Sequence, residues 1–165
     1  MSCFDNRLKT QHKFTDWLYW NSFILLPIII ACTAIGRYSV VGLVFYIFVV
    51  IAYFFIIMYR FFCAYCPHYL KEENVSKCMF YWGLPKYFKR RTQSKNIFDE
   101  IMVLCGAVVL GGFPVYWLVS NKGLLVAYCL SWMLFLTTMK RYECPGCIYF
   151  NCPFNNARVI EKETR

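Results

Sequence analysis

The sequence has few charged residues and few histidines, and both shortages restrict what the chain can do. Charged residues make up 16% of its 165 residues, and none lies in the middle of a long apolar run. A path for protons or cations through a membrane needs ionisable groups deep within a span, so no such path is predicted. The only histidines, His12 and His68, lie outside these runs. A membrane-spanning bis-histidine haem is therefore excluded.

Several enzyme motifs are also missing. The chain has no Gly-rich phosphate loop, no His-Glu-x-x-His zinc-protease motif and no Gly-x-Ser-x-Gly elbow. Hydrolases and nucleotide enzymes of these types are not predicted. No A-x-A-like cleavage site follows the first apolar run, which begins near Trp17, so we expect no cleavable signal peptide.

Apolar and aromatic residues, by contrast, are abundant. Hydrophobic residues make up 59% of the chain, whereas soluble domains are roughly 45–50% apolar. A membrane span needs about 20 mostly apolar residues. Four stretches qualify, at about 17–35, 40–62, 97–119 and 124–139. We expect an all-α integral membrane fold in which residues 1–165 form one domain, a bundle of four transmembrane helices.

The basic residues indicate how this bundle is oriented. The formal net charge is +9, and the links at 36–39 and 120–123 carry one positive charge each. Most other basic residues lie before the first span, in the Cys-rich loop 63–96 and in the tail 140–165. Positive segments stay on the cytoplasmic side. We therefore expect a plasma (cell inner) membrane protein with both termini and the central loop in the cytoplasm. The charge is not arranged as a nucleic-acid-binding groove, so no nucleic acid is expected.

Prolines and glycines within the spans predict local features of the helices. Pro27 and Pro114 are expected to kink spans one and three, with neighbouring helices satisfying the freed carbonyl groups. Gly106, Gly111 and Gly112 are expected to let span three pack closely against a neighbour.

Cysteines provide the clearest functional signal. Of ten cysteines, six lie just beyond the ends of spans two and four: Cys63, Cys66, Cys78, Cys144, Cys147 and Cys152. The pattern M-x-R-[FY]-x-C-x-x-C begins at Met58 and again at Met139, an offset of 81 residues. Each copy follows a two-helix hairpin and is followed by one more cysteine.

This pattern predicts an internal duplication of a helical hairpin. Two spans separate the copies, so the repeats would be parallel and related by a pseudo-twofold axis along the membrane normal. That axis would bring Cys63, Cys66, Cys144 and Cys147 together at the cytoplasmic surface. Cys32, Cys105 and Cys129 lie inside spans and are expected to act as small apolar residues.

Paired Cys-x-x-Cys units supply the thiolate ligands of zinc sites and iron–sulfur clusters. The Cys-Pro steps at Cys66 and Cys152 are typical of iron–sulfur loops. His68 is a candidate additional ligand, and an ordinary surface histidine is as good a reading. Arg60 and Arg141 are candidates to offset thiolate charge, or simply to anchor helix ends at the headgroups.

We expect a membrane subunit that holds an iron–sulfur site at the cytoplasmic face and transfers electrons within a larger redox complex. Its partners would be lipid, other protein subunits, a soluble redox protein or a quinone. Two alternatives stay open. One is a zinc-stabilised membrane anchor or assembly subunit, and the other is a membrane thiol–disulfide oxidoreductase, which needs only one reactive Cys-x-x-Cys.

Overall fold

Long helices make up most of the structure, a computed structural model that describes residues 12–66, 69, 74–91 and 96–144. The elements in chain order are α1 (Phe14–Gly36), α2 (Val40–Ala52), the π-helix π1 (Tyr53–Met58), α3 (Tyr59–Phe61), a 3-10 turn (Cys63–Tyr65), strands β1 (Val75–Lys77) and β2 (Trp82–Pro85), α4 (Ile97–Gly112), α5 (Val115–Leu118), α6 (Lys122–Thr138) and the π-helix π2 (Met139–Glu143).

These elements join into four helical spans that are long and apolar enough to cross a membrane. Span 1 is Phe14–Gly36, span 2 is Val40–Tyr65, span 3 is Ile97–Leu118 and span 4 is Lys122–Glu143. Their outward faces carry apolar side chains that are more than half exposed, among them Val41, Phe48, Leu104, Val108 and Leu130. Apolar surface on this scale indicates a lipid bilayer as the solvent. The predicted four helices are confirmed.

Short capped turns connect the spans within each hairpin. Ser39 begins α2, where its hydroxyl accepts a hydrogen bond from the Gly42 backbone N–H at 3.0 Å. Asn121 does the same for α6, accepting from the Leu124 N–H at 3.2 Å. Such caps satisfy backbone donors that have no partner within the helix. α1 packs against both α2 and α6, while α4 packs against π1.

A break in span 3 is stabilised by tyrosines from neighbouring spans. Pro114 separates α4 from α5, and it has no N–H to donate to the Leu110 carbonyl four residues earlier. The Tyr46 hydroxyl donates to that carbonyl at 3.4 Å, and the Tyr128 hydroxyl donates to the Gly111 carbonyl at 2.8 Å. The expectation that other helices satisfy the freed carbonyl is therefore confirmed at Pro114. At Pro27, by contrast, α1 continues as an uninterrupted helix.

Only one of the three glycines in α4 makes a close helix contact. A Cβ atom at Gly106 would lie 2.6 Å from the Tyr53 ring, so glycine is needed where α4 crosses π1. A Cβ at Gly111 or Gly112 would meet nothing within 4 Å. The expectation of close packing is wrong at these two positions, because the space that a Cβ would take is open and the neighbouring Tyr128 hydroxyl contacts Gly111 at its carbonyl instead.

A small antiparallel sheet lies between spans 2 and 3, and the sequence analysis did not predict it. β1 pairs with β2, with Ser76 opposite Leu84 and an irregular register after Ser76. Gly83 adopts φ +74° at this irregularity, a conformation that favours glycine. The Tyr59 hydroxyl of span 2 donates to the Pro85 carbonyl at 3.0 Å and lies 2.6 Å from the Ser76 hydroxyl. These bonds fix the sheet to the end of span 2.

Candidate functional site

One cavity of about 650 Å³ lies at the end of the bundle where spans 1 and 3 begin and spans 2 and 4 finish. We call this end the cysteine end. Cys63, Cys66, Cys78 and Cys144 all line the cavity. Both copies of the sequence pattern therefore contribute cysteines to the lining of one cavity, although they are far apart in the chain. Cys147, Cys152 and His68 lie outside the described residues.

The geometry of the described part of the chain does not by itself form a metal site. Within residues 12–66, 69, 74–91 and 96–144, no group of three or more His, Cys, Asp or Glu side chains is arranged to hold a metal ion. The predicted six-cysteine set includes two residues that the structure does not describe, so metal ligation stays a prediction. The pseudo-twofold relation between the copies also stays a prediction.

The first Cys-x-x-Cys forms where span 2 ends. Residues Cys63–Tyr65 make one 3-10 turn, and the Cys66 N–H donates to the Cys63 carbonyl at 2.9 Å. The backbone then becomes extended at Cys66, which ends the helix. Cys63 is 6% exposed, whereas Cys66 is half-buried. The turn thus presents one protected and one more accessible sulfur to the same cavity.

Tyr65, inside this turn, belongs to a polar network that anchors it. The Tyr65 hydroxyl donates to the carboxylate of Asp99, in the first turn of α4. The Arg91 guanidinium donates to the Tyr65 oxygen at 3.0 Å and to the Asp99 carboxylate at 2.9 Å. The Arg91 backbone N–H also donates to the Ala64 carbonyl at 3.2 Å. Span 2, the loop and span 3 are therefore tied together at the Cys-x-x-Cys.

Sequence reasoning missed this network. From the sequence, Arg91 counts among the positive charges of the central loop and Asp99 lies in the first turn of span three, but nothing pairs the two. The sequence feature that could have indicated the network is an acidic residue in the first turn of a helix with an arginine eight residues before it. The arginines that were predicted behave differently: Arg60 lies over the Phe61 and Phe88 rings, at 5.6 and 5.7 Å.

Neither Arg60 nor Arg141 lines the cysteine cavity, and both are exposed. Their role in offsetting thiolate charge therefore remains a prediction. The expectation that the intraspan cysteines act as small apolar residues stays a prediction, and the structure shows only where they lie. Cys105 and Cys129 are exposed on the outer surface of the bundle, Cys32 is half-buried, and none of the three lines the cavity.

Cys78 follows β1, in the turn of the small sheet. Its sulfur accepts a hydrogen bond from the Tyr81 N–H at 3.4 Å, and its own N–H donates to the Tyr81 carbonyl at 2.8 Å. Burial raises the pKa of the Cys78 thiol, while the N–H groups of Tyr81 and Phe80 oppose the rise. Backbone donors aimed at sulfur are a common feature of thiolate ligation.

The second copy of the M-x-R-[FY]-x-C-x-x-C pattern, which begins at Met139, reaches the cavity through π2. Glu143 and Cys144 are both buried at 8% exposure, and both line the cavity. His12, just before α1, also lines it, with Nδ1 at 4.0 Å from the Glu143 carboxylate and 3.8 Å from that of Asp16. The sequence analysis placed His12 only outside the spans. Its approach to Glu143 depends on the packing of α1 against span 4, which the local sequence does not reveal.

Both π-helices border the cavity, π1 through Tyr53, Phe54 and Met58, and π2 through Met139 and Glu143. π-helices are rare and occur often at functional sites. The wider turn changes which carbonyls are bonded within the helix, and the Tyr81 hydroxyl donates to the Phe54 carbonyl at 2.5 Å. The Cys78 turn is thereby attached to π1.

Comparisons with protein-family models, with curated proteins and with solved structures found no match to this chain.

Proposed function

We propose that the chain is a membrane subunit that holds a cysteine-ligated iron–sulfur site at the cytoplasmic face and exchanges electrons within a larger redox complex. The observation that supports this most is the convergence of Cys63, Cys66, Cys78 and Cys144 on one cavity. Thiolate-rich sets of this kind ligate iron–sulfur clusters. Cys147, the second cysteine of its pair, and Cys152 follow Cys144 closely in sequence and would complete the set.

The surroundings of the cysteines suit a redox site. Cluster potentials depend on hydrogen bonds to sulfur and on exclusion of water. Cys78 receives a backbone hydrogen bond, and Cys63 and Cys144 are buried among aromatic and apolar side chains. Glutathione and thioredoxin keep cytoplasmic thiols reduced, so these cysteines would be available as ligands rather than locked in disulfides.

Anaerobic purification in detergent, followed by metal analysis, sulfide analysis and EPR, tests the proposal. Iron with acid-labile sulfide, and an EPR signal in one redox state, are expected. Cys63→Ser and Cys144→Ser should lower iron and sulfide content severalfold. The matched controls Cys105→Ser and Cys129→Ser, on the outer surface of the spans, should retain the wild-type content. Stoichiometric zinc without iron or sulfide would overturn the proposal.

A second candidate function is a zinc-stabilised anchor or assembly subunit. Hydrogen bonds that attach the Cys-rich loop to spans 2 and 3 favour it. The small sheet is bonded to span 2 through Tyr59, and the first Cys-x-x-Cys is bonded to span 3 through Arg91 and Asp99. A structural zinc would add rigidity in the same place. Stoichiometric zinc whose removal lowers the melting temperature, without any redox signal, would favour this function.

A further inference from the structure

The cavity extends from the cysteines deep into the membrane-spanning part of the bundle. Its α4 lining begins at Glu100 and reaches Gly111. These two residues are eleven steps apart along the helix, which corresponds to about 16 Å, roughly half of the hydrocarbon thickness. Between these ends α4 contributes only apolar residues to the lining: Val103, Leu104, Ala107, Val108 and Leu110. The cavity therefore has a thiol-rich end and a long apolar end.

Beside the apolar end, spans 3 and 4 pack little against each other apart from the bond between the Tyr128 hydroxyl and the Gly111 carbonyl. α4 packs against span 2, and α6 packs against α1, but α4 and α6 are not in extensive contact with each other. Residues of both helices nonetheless line the cavity, including Leu104, Val108 and Leu136. Leu104 and Val108 are each 64% exposed. A molecule dissolved in the bilayer could enter along this side without crossing water.

The cavity lining favours a flat, uncharged head group over a phospholipid. No Lys or Arg is among the described residues that line the cavity, whereas Glu100 and Glu143 are. A phosphate group would need a cation there. The lining is instead rich in aromatic side chains: Tyr53, Phe54, Tyr59, Phe62, Tyr69, Phe80, Tyr81, Trp132 and Phe135. Aromatic walls suit a planar ring.

Trp132 adds a specific polar feature to these walls. It lines the cavity, and its buried Nε1 interacts with the Tyr128 hydroxyl without forming a hydrogen bond of normal geometry. A buried donor without an acceptor is costly. A ligand carbonyl oxygen would supply the acceptor.

We propose that this cavity binds an isoprenoid quinone, a lipid with a planar dicarbonyl ring and a single apolar chain. The ring lies beside Trp132, near the middle of span 4, and the chain leaves between α4 and α6. The redox role of this ligand depends on the function proposed above, but its binding does not.

The electron balance is that of a quinol–quinone couple. Oxidation of one quinol to quinone releases two electrons and two protons. If the cysteines hold the proposed iron–sulfur site, it would accept these electrons one at a time and pass them to a soluble one-electron carrier, of which two molecules would be reduced. The two protons go to water at the cysteine end. The same steps in reverse reduce the quinone.

Photolabelling tests the binding. The probe is a photoreactive azidoquinone with a prenyl chain, added to the protein in phosphatidylcholine nanodiscs and competed with an unreactive prenylated quinone. We expect labelled peptides from α4 and from span 4. Gly111→Leu, which fills open space in the lining, should weaken competition at least fivefold. Gly112→Leu, its matched control, adds the same side chain one residue away from the lining and should bind as wild type.

A second pair of variants tests the hydrogen bond. Trp132→Phe keeps an aromatic ring but removes the N–H, and we expect about three- to tenfold weaker binding. Trp117→Phe, which is outside the lining, should leave binding unchanged. Equal labelling in all four variants, labelling elsewhere, or equal competition by a phospholipid would overturn the proposal.

The assay is repeated on Cys63→Ser/Cys144→Ser protein, which lacks two of the proposed cluster ligands. Binding to this form, or to a protein that holds only zinc, would support the quinone site even if the iron–sulfur proposal fails. A protein with an intact cluster and no quinone binding would contradict this inference alone.

Discussion

Arg91 and Asp99 form an ion pair at 2.9 Å between guanidinium and carboxylate, joining the loop before span 3 to that span's first turn. The Asp99 side chain is 4% exposed and that of Arg91 is 35% exposed. The pair also holds Tyr65, which lies between Cys63 and Cys66. The position of the first Cys-x-x-Cys therefore depends on a residue 33 or more positions further along the chain.

Replacing Asp99 should loosen this arrangement. Asp99→Asn removes the charge that Arg91 binds, and loss of a buried, charge-assisted partner costs about 1–3 kcal/mol. We expect a lower melting temperature in detergent and a lower metal content, measured on the same preparation. The control Arg90→Ala changes an exposed neighbour and should alter neither. Unchanged stability and metal content in Asp99→Asn would show that the network does not position the cysteines.

Gly106 offers a test of how spans 2 and 3 pack. Gly106→Ala places a Cβ 2.6 Å from the ring of Tyr53, which is 7% exposed and has little room to move. Overpacking of this kind costs about 1–3 kcal/mol. Thermal unfolding in detergent should show the loss, whereas Gly112→Ala, with an open Cβ position, should be neutral or slightly stabilising. Equal melting temperatures would contradict the close crossing.

The bond from Tyr81 to the Phe54 carbonyl should protect the Cys78 turn. Tyr81→Phe removes this hydroxyl and leaves a π1 carbonyl without its donor, at a cost of about 1 kcal/mol. We expect Cys78 in metal-free protein to react severalfold faster with maleimide, as followed by peptide mass spectrometry. Tyr87→Phe, which alters a tyrosine that is 65% exposed, is the control and should not change the rate.

Reporter fusions test the proposed orientation. Alkaline phosphatase folds into its active form only after export to the periplasm, so a fusion after Lys122 should be active in a bacterium with a periplasm. A fusion after Arg91 should be inactive, because the central loop is expected in the cytoplasm. A fluorescent protein that requires the cytoplasm should give the opposite pattern. Activity after Arg91 would reverse the orientation.

The sequence predicted the spans well because hydropathy and length are local properties. The predicted span 40–62 lies within the observed span 2, Val40–Tyr65, and the others differ by a few residues. The sequence also placed Cys63 and Cys144 at the same end of the bundle, because two spans separate them, and both residues line one cavity there.

What the sequence did not reveal depends on contacts between distant segments. β1 is only three residues long, and its pairing with β2 is stabilised by Tyr59, which is far from both in sequence. His12 reaches the cavity only because α1 packs against span 4. Gly111 and Gly112 were predicted to allow close helix packing. Whether a glycine does so depends on which helix lies opposite it, and the local sequence does not determine that.

The π-helices have a geometric consequence for the cysteines. Each residue of an α-helix turns the chain by about 100°, so an extra residue accommodated in a wide turn rotates everything that follows by that amount. π1 ends at Met58, five residues before Cys63, and π2 ends at Glu143, immediately before Cys144. Deleting one residue from either would leave a regular helix whose cysteine faces a different direction. The rotation about the helix axis that each π-helix introduces, one in each half of the chain, thus determines which way the thiols point.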